Sequence, residues 1–189
     1  MIFLIDLDGT LLDSDHLHYE AWSRVLNEPP EHIEHIIKTI GMEKYLERSN
    51  FQKLKNVKFE EMFKVQKIDF IENADKFIDF VDDNNINHVV VTHTDKMVVD
   101  FFKERVPKLK TLKNWVVRED YDKPKPDPEC YKLALKLYGG DDKHIIGFEN
   151  SEHGLKALSH VTPNIIKIGK RTNYLDVIKS IKMSNAVFV

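Results

Sequence analysis

The sequence predicts an α/β fold: a Rossmann-like parallel sheet with helices on both faces, plus a small all-helical cap inserted after strand 1. Short apolar runs alternate with amphipathic stretches over most of the 189 residues. Strands that are apolar throughout are typical of a parallel sheet that is covered on both faces. One long interval after the first apolar run has helical periodicity only, and this interval predicts the cap.

The predicted strands are short runs rich in Val, Ile and Phe. They are Ile2–Asp6, His88–Thr92, Trp115–Val117, Ile145–Phe148, Ile165–Ile168 and Ala186–Val189. In open parallel sheets, ligands bind beyond the carboxyl ends of the strands. Polar residues that follow these runs are therefore the first candidates for a functional site.

Helical patterns fill the intervals between the predicted strands, near residues 95–105, 128–138, 152–160 and 173–182. The cap interval holds four more candidate helices: His16–Asn27, Glu31–Thr39, Met42–Lys55 and Phe59–Lys67. A Pro29–Pro30 pair and Gly41 separate the first three of them. We therefore expect residues 1–14 and 69–189 to form a catalytic core and residues 15–68 to form the cap.

Charge and composition exclude several classes of protein. The formal net charge is −3 and the isoelectric point is near 6.3, which argues against general nucleic-acid binding. The single cysteine, Cys130, can form neither an internal disulfide nor a zinc site by itself. Met1–Ile5 is apolar but is followed at once by Asp6, so a signal peptide is not expected. We expect a cytoplasmic protein without a membrane partner.

A basic stretch lies in the second half of the predicted cap. Between Lys38 and Lys67 there are eight Lys or Arg residues against four Glu, a net charge of +4 in a chain that is negative overall. Such a stretch above a site is suited to attracting anions. A solvated helix face explains the same charges, and both interpretations stay open.

Two carboxylates follow the first predicted strand, in Asp6-Leu7-Asp8-Gly9-Thr10. Residues i and i+2 of an extended strand point to the same side, so both carboxylates project together. They repel each other unless a cation or a shared proton lies between them, which indicates a hard metal such as Mg²⁺. A calcium loop needs a Glu at its twelfth position, and that position is Leu17.

The segment from Asp6 to Ser14 reads Asp-x-Asp-Gly-Thr-Leu-x-Asp-Ser. It resembles the first motif of the haloacid dehalogenase superfamily. The resemblance implies that Asp6 is a nucleophile that becomes an aspartyl-phosphate. It also implies that Asp8 is the general acid and base and that its backbone carbonyl binds Mg²⁺.

Two further motifs of this superfamily follow in order. Val89-Val90-Val91-Thr92 is similar to the second motif, which implies that Thr92 donates a hydrogen bond to the transferring phosphoryl group. The segment from Lys123 to Pro128 resembles the third motif, Lys-Pro-x-Pro-Asp-Pro. It implies that Lys123 balances the charge of nucleophile and phosphate, whereas Lys125 occupies a variable position and is expected to be solvated.

The fourth motif is Ile145-Ile146-Gly147-Phe148-Glu149-Asn150-Ser151, an apolar strand that ends in metal ligands. The resemblance implies that Glu149 and Asn150 hold Mg²⁺ together with Asp6 and Asp8. The family commonly has Asp where this chain has Asn150. An amide still offers its carbonyl oxygen to a hard cation but carries no negative charge, so this departure bears on metal affinity.

Together these motifs predict a Mg²⁺-dependent phosphatase that hydrolyses a small phosphomonoester through an aspartyl-phosphate. Lys123, Thr92 and backbone amides near Leu7 and His93 would bind the phosphate. The predicted cap resembles that of the β-phosphoglucomutase and phosphoglycolate phosphatase subfamily, which implies a small phosphorylated metabolite as the substrate. We also expect a monomer or weak dimer. Two alternatives stay open: a sugar phosphomutase with the same intermediate, and a catalytically weak binding protein of this family.

Overall fold

A computed structural model describes residues 1–39, 61, 67–140 and 144–185 of the chain. Its centre is a parallel sheet with the strand order β3-β2-β1-β4-β5. The strands are β1 (Ile2–Ile5), β2 (Asn87–Val91), β3 (Trp115–Val116), β4 (Ile145–Glu149) and β5 (Ile165–Lys167). These five agree with the predicted strands to within one residue at each end. The sixth predicted strand, Ala186–Val189, lies outside the described residues.

Seven α-helices are found in the described ranges. They are α1 (Asp15–Leu26), α2 (Pro30–Thr39), α3 (Ala74–Asp83), α4 (Lys96–Arg105), α5 (Glu129–Tyr138), α6 (Glu152–Leu158) and α7 (Tyr174–Asn185), with short 3₁₀ turns at Pro107–Thr111 and Arg118–Asp120. The sequence analysis missed α3, although its buried residues Ala74, Phe77, Ile78 and Val81 have helical spacing. None of the described helices is long and apolar enough to cross a membrane.

The two faces of the sheet carry two separate cores. Phe3 and Ile5 of β1 point into one core, which α3, α4 and α7 cover, and Phe148 packs there against Phe77 with 4.9 Å between ring centroids. Ile2 and Leu4 point into the other core, beneath α5 and α6. Because both faces are covered by helices, the strands are mostly apolar. This confirms the predicted sheet with helices on both faces.

The register of the sheet brings three strand ends to one level. Ile5 is paired with Val90 of β2 on one side and with Phe148 of β4 on the other. The residue that follows each of them in the chain is therefore at the same height along the sheet. These are Asp6, Val91 and Glu149, so two carboxylates meet at the carboxyl edge.

The predicted cap is described in part. Helices α1 and α2 begin one residue earlier than expected and pack against each other. The predicted helices Met42–Lys55 and Phe59–Lys67 lie outside the described residues except at Glu61 and Lys67. The boundaries of core and cap stay a prediction.

The reactivity of the Cys130 thiol provides a test of how α5 packs against the sheet. The thiol is buried in the second core, and burial raises its pKa to about 11. We expect the native protein at pH 8 to react with iodoacetamide at least about 100-fold more slowly than the unfolded chain, because thiolate is the reactive form. Equal rates in buffer and in denaturant, followed by mass spectrometry, would mean that α5 does not cover this face.

Candidate active site

A buried ion cluster lies at the carboxyl edge of the sheet. The Lys125 ammonium donates to Asp6 Oδ1 at 2.7 Å and to Glu149 Oε2 at 2.8 Å. It also donates to the backbone carbonyl of Val91 at 3.2 Å. The Lys125 side chain is 5% exposed and that of Glu149 is fully buried. One cation therefore lies between two carboxylates from neighbouring strands.

This cluster corrects the prediction for the third motif. Lys123 is exposed on the loop before α5. Its backbone N–H donates to Oε2 of Glu129, the first residue of α5, at 2.9 Å. The expectation that Lys125 is solvated is wrong. The pattern Lys-Pro-x-Pro followed by an acid occurs twice in overlapping registers, beginning at Lys123 and at Lys125. That repeat was the available signal, and only the path of the loop distinguishes the two lysines.

Glu149 is fully engaged by protein donors. Its Oε2 accepts from Lys125 and from the Tyr131 hydroxyl at 2.8 Å, and its Oε1 accepts from the Asn150 N–H and from the N–H and hydroxyl of Ser151. Burial alone would raise its pKa, but Lys125 and these donors lower it. A carboxylate has about four lone-pair positions. The geometry therefore indicates that Glu149 orients Lys125, and its role as a direct metal ligand stays a prediction.

A close approach between α6 and β4 fixes the Glu149 carboxylate. A Cβ added to Gly154 would lie 1.9 Å from Glu149 Oε2, so a larger residue would collide with the carboxylate. The helix is held in turn by Ser151, whose hydroxyl accepts from the Gly154 N–H at 3.0 Å. Glycine at this position lets the helix pack directly onto the acid.

Asp8 is held by four side-chain contacts from two elements. Its Oδ1 accepts from Ser14 at 2.6 Å and lies 2.8 Å from His18 Nε2, both at the start of α1. Its Oδ2 accepts from Thr94 at 2.6 Å and from Thr92 at 3.2 Å. Burial alone would raise the pKa of Asp8, but the His18 ring and these hydrogen bonds lower it below its ordinary range.

Thr92 lies at the site, where its hydroxyl donates to Asp8 Oδ2. The sequence analysis did not select Ser14, His18 or Thr94. His93 lies edge-on to Tyr121, with 6.0 Å between ring centroids, and Leu7 is buried. The phosphate-binding roles of Leu7, Thr92 and His93 stay predictions.

Asn150 is linked to a carboxylate that the sequence analysis did not select. Its Oδ1 accepts from Thr10 at 3.2 Å, and its Nδ2 donates to Asp15 Oδ2 at 3.1 Å. Burial, together with the charges of Asp8 and Glu149, raises the pKa of Asp15 to about 7. Gly9 has φ of 70°, and a Cβ there would lie 2.0 Å from Asn150 Nδ2. Only glycine fits this turn.

The charge balance of the site suits a divalent cation. Among the described residues, Asp6, Asp8, Asp15 and Glu149 face two basic groups, Lys125 and His18. Burial and Glu149 raise the pKa of Asp6 well above its ordinary value, despite Lys125. The oxygens of Asp6 and Asn150 are the hard donors that Mg²⁺ prefers. No three His, Cys, Asp or Glu side chains in the described ranges are arranged to hold a metal ion.

Carboxylates at the ends of β1 and β4, with a lysine between them, define an α/β protein whose active site lies at the carboxyl edge of its sheet. A family model described as haloacid dehalogenase-like hydrolase matches residues 2–162. The chain therefore belongs to this family of hydrolases, and the predicted resemblance is confirmed.

Several solved structures have the same fold. A candidate β-phosphoglucomutase from Thermotoga maritima is 22% identical, with 88% of this chain and 84% of that chain covered and a TM-score of 0.65. A CbbY mutant from Rhodobacter sphaeroides, in complex with xylulose-1,5-bisphosphate, is 20% identical, with 84% and 81% covered and a TM-score of 0.72. A candidate phosphoglycolate phosphatase from Lactobacillus plantarum is 14% identical, with 94% and 97% covered and a TM-score of 0.75.

The hydroxyl of Tyr131 provides a test of the buried cluster. Replacing Tyr131 by Phe removes the donor to Glu149 Oε2 without changing the packing of the ring. We expect Tyr131→Phe to lower the free energy of unfolding by about 1.5–3 kcal/mol, the range for hydrogen bonds to charged groups. Urea unfolding at pH 7 measures this change in the free energy of unfolding.

The matched control is Tyr138→Phe at the other end of α5, where the ring is half-buried. We expect this change to stay within about 0.5 kcal/mol of the parent protein. Equal effects of the two substitutions would contradict a specific role for the Tyr131 hydroxyl.

Proposed function

We propose that the protein is a Mg²⁺-dependent phosphatase that hydrolyses a small phosphomonoester through an aspartyl-phosphate on Asp6. The observation that carries the proposal is the contact of Lys125 with Asp6. Asp8 follows Asp6 by two residues, and four side chains orient its carboxylate. Phosphoryl transfer needs little covalent work from a protein and depends mainly on positioning and charge neutralisation. This arrangement supports both requirements.

Asp6 is the proposed nucleophile. It lies at the end of β1, where its backbone N–H donates to the carbonyl of Phe148 at 3.0 Å and fixes the main chain. Lys125 holds Oδ1 and thereby orients the carboxylate. In the proposed reaction an oxygen of Asp6 forms the bond to phosphorus while the bond to the leaving oxygen breaks. Lys125 offsets the negative charge that the phosphoryl oxygens bring to the buried site.

Asp8 is the proposed general acid and base. In the first half of the proposed reaction a protonated Asp8 gives its proton to the leaving oxygen and becomes a carboxylate. In the second half this carboxylate takes a proton from the attacking water, whose oxygen bonds to phosphorus while the bond from phosphorus to Asp6 breaks and inorganic phosphate leaves. The lowered pKa of Asp8 favours the carboxylate form that the second half requires. Ser14 and His18 on α1 and Thr92 and Thr94 after β2 keep it oriented for the hydrolytic step.

The residues that would hold Mg²⁺ are Asp6, the backbone carbonyl of Asp8, and Asn150. The ion supplies positive charge that stabilises the phosphoryl oxygens during transfer. Glu149 acts on the site through Lys125, whose ammonium it holds against Asp6. Lys123 is not included in this mechanism, because it is exposed on the loop.

The proposed substrate is a small phosphorylated metabolite. The CbbY structure, in complex with xylulose-1,5-bisphosphate, shows that a protein of this fold takes such a compound. The net charge of +4 between Lys38 and Lys67 would favour an anionic substrate. A cytoplasmic location and a monomer or weak dimer are part of the proposal.

Replacing Asp6 by Asn tests the nucleophile. We expect Asp6→Asn to lower kcat/KM toward p-nitrophenyl phosphate at least about 1,000-fold, because the amide cannot form the acyl phosphate. Chelation with EDTA should remove the activity of the parent protein, and added Mg²⁺ should restore it. Asp69→Asn, a change of the same type on a surface residue, is the control and should leave kcat/KM within about twofold.

The same experiment separates the alternatives. Undiminished activity of Asp6→Asn would sink the nucleophile assignment. An isomerised sugar phosphate without release of inorganic phosphate, in a panel of hexose phosphates, would favour a phosphomutase. Failure of the parent protein to act on any phosphoester in a broad panel would favour a binding protein of this family.

A further inference from the structure

The site contains a carboxylate that the proposed mechanism does not use. Asp15 is the first residue of α1, and its Oδ2 accepts a hydrogen bond from Asn150 Nδ2 at 3.1 Å. We propose that Asp15 supplies the negative charge of the magnesium site that Asn150 lacks, so that the carboxylate has moved from the end of β4 to the start of α1. The inference rests on the proposed function, which places Mg²⁺ here.

The turn at Gly9 brings Asp15 to the proposed metal ligands. A Cβ on Gly9 would lie 2.0 Å from Asn150 Nδ2 and 2.4 Å from Asp15 Oδ2. Both side chains therefore lie against the turn that follows Asp6 and Asp8.

The hydrogen bonds of Asn150 explain why an amide is found there. Its carbonyl oxygen accepts from the Thr10 hydroxyl at 3.2 Å, and its amide nitrogen donates to Asp15. An Asp at position 150 would place two carboxylates at hydrogen-bond distance with no donor between them, and they would repel each other. Asn150 and Asp15 are thus complementary, and each residue type suits the other.

A role in the helix alone does not account for Asp15. An acid in the first turn of a helix is favoured by the helix dipole, an effect that an exposed side chain already obtains. Asp15 is instead half-buried, and its carboxylate accepts from the Asn150 amide at the end of β4. A role in the helix dipole needs no contact with β4, whereas a carboxylate that balances a cation held by Asn150 does.

The test is a charge exchange between the two positions. Mg²⁺ affinity is measured by isothermal titration calorimetry on the full chain for the parent protein, Asp15→Asn, Asn150→Asp and the double variant Asp15→Asn/Asn150→Asp. We expect Asp15→Asn to weaken the Kd for Mg²⁺ at least about 10-fold, in the range seen when groups that support a metal site are removed. The double variant should return to within about threefold of the parent protein.

Asp13→Asn is the matched control, because it removes the same charge two residues earlier from an exposed side chain. It should leave the Kd for Mg²⁺ within about twofold. The Tm of each variant is measured by circular dichroism with and without Mg²⁺. Loss of folding in Asp15→Asn alone would be recognised by its Tm, and recovery of affinity in the double variant would still support the proposal.

The outcomes distinguish this inference from the proposed function. A parent protein that binds Mg²⁺ and hydrolyses phosphoesters, with Asp15→Asn equal to it in affinity, would overturn the role of Asp15 only. A double variant that folds but binds as weakly as Asp15→Asn would also overturn it. A parent protein that neither binds Mg²⁺ nor hydrolyses any phosphoester would contradict both the proposed function and the role of Asp15.

Discussion

The pairing of one buried lysine with two buried carboxylates is the interaction on which the site depends. Lys125 is almost completely enclosed between Asp6 and Glu149. An unpaired charge in this position would be very unfavourable, whereas a cation with two anions and further hydrogen bonds can be held. Donors from Tyr131 and Ser151 occupy the remaining hydrogen-bond positions of the Glu149 carboxylate. They leave the ammonium directed at Asp6, which is the group that the proposed reaction uses.

The parallel sheet makes this pairing geometrically necessary. Because Ile5 is paired with Phe148, Asp6 and Glu149 come out at the same level of adjacent strands. Two carboxylates at that spacing require positive charge, and the loop before α5 supplies it through Lys125. The same edge receives Asp8 and, from the start of α1, Asp15. The surplus of negative charge that remains is the physical basis for proposing a divalent cation.

The features that the sequence predicts correctly are mostly those whose residue pattern lies within one short segment of the chain. The central strands β1 and β2 are largely buried on both faces, and all five strands are mostly apolar runs, which the sequence shows directly. Helix α3 was missed although its pattern is local. The choice between Lys123 and Lys125 was wrong because the two motif registers overlap and only the path of the loop separates them. The contacts of Asp8 with His18 and Thr94, and of Asn150 with Asp15, join residues far apart in the chain or on different elements, so no local pattern reports them.

A double-mutant cycle between Lys125→Met and Glu149→Gln measures the central interaction most directly. The free energies of unfolding of the two single variants and the double variant, from urea titrations at pH 7, give the coupling between the groups. The account predicts a coupling of at least about 2 kcal/mol for Lys125 with Glu149. It predicts a coupling below about 0.5 kcal/mol when Lys123→Met replaces Lys125→Met in the cycle. A coupling near zero for Lys125, or the larger value for Lys123, would contradict it.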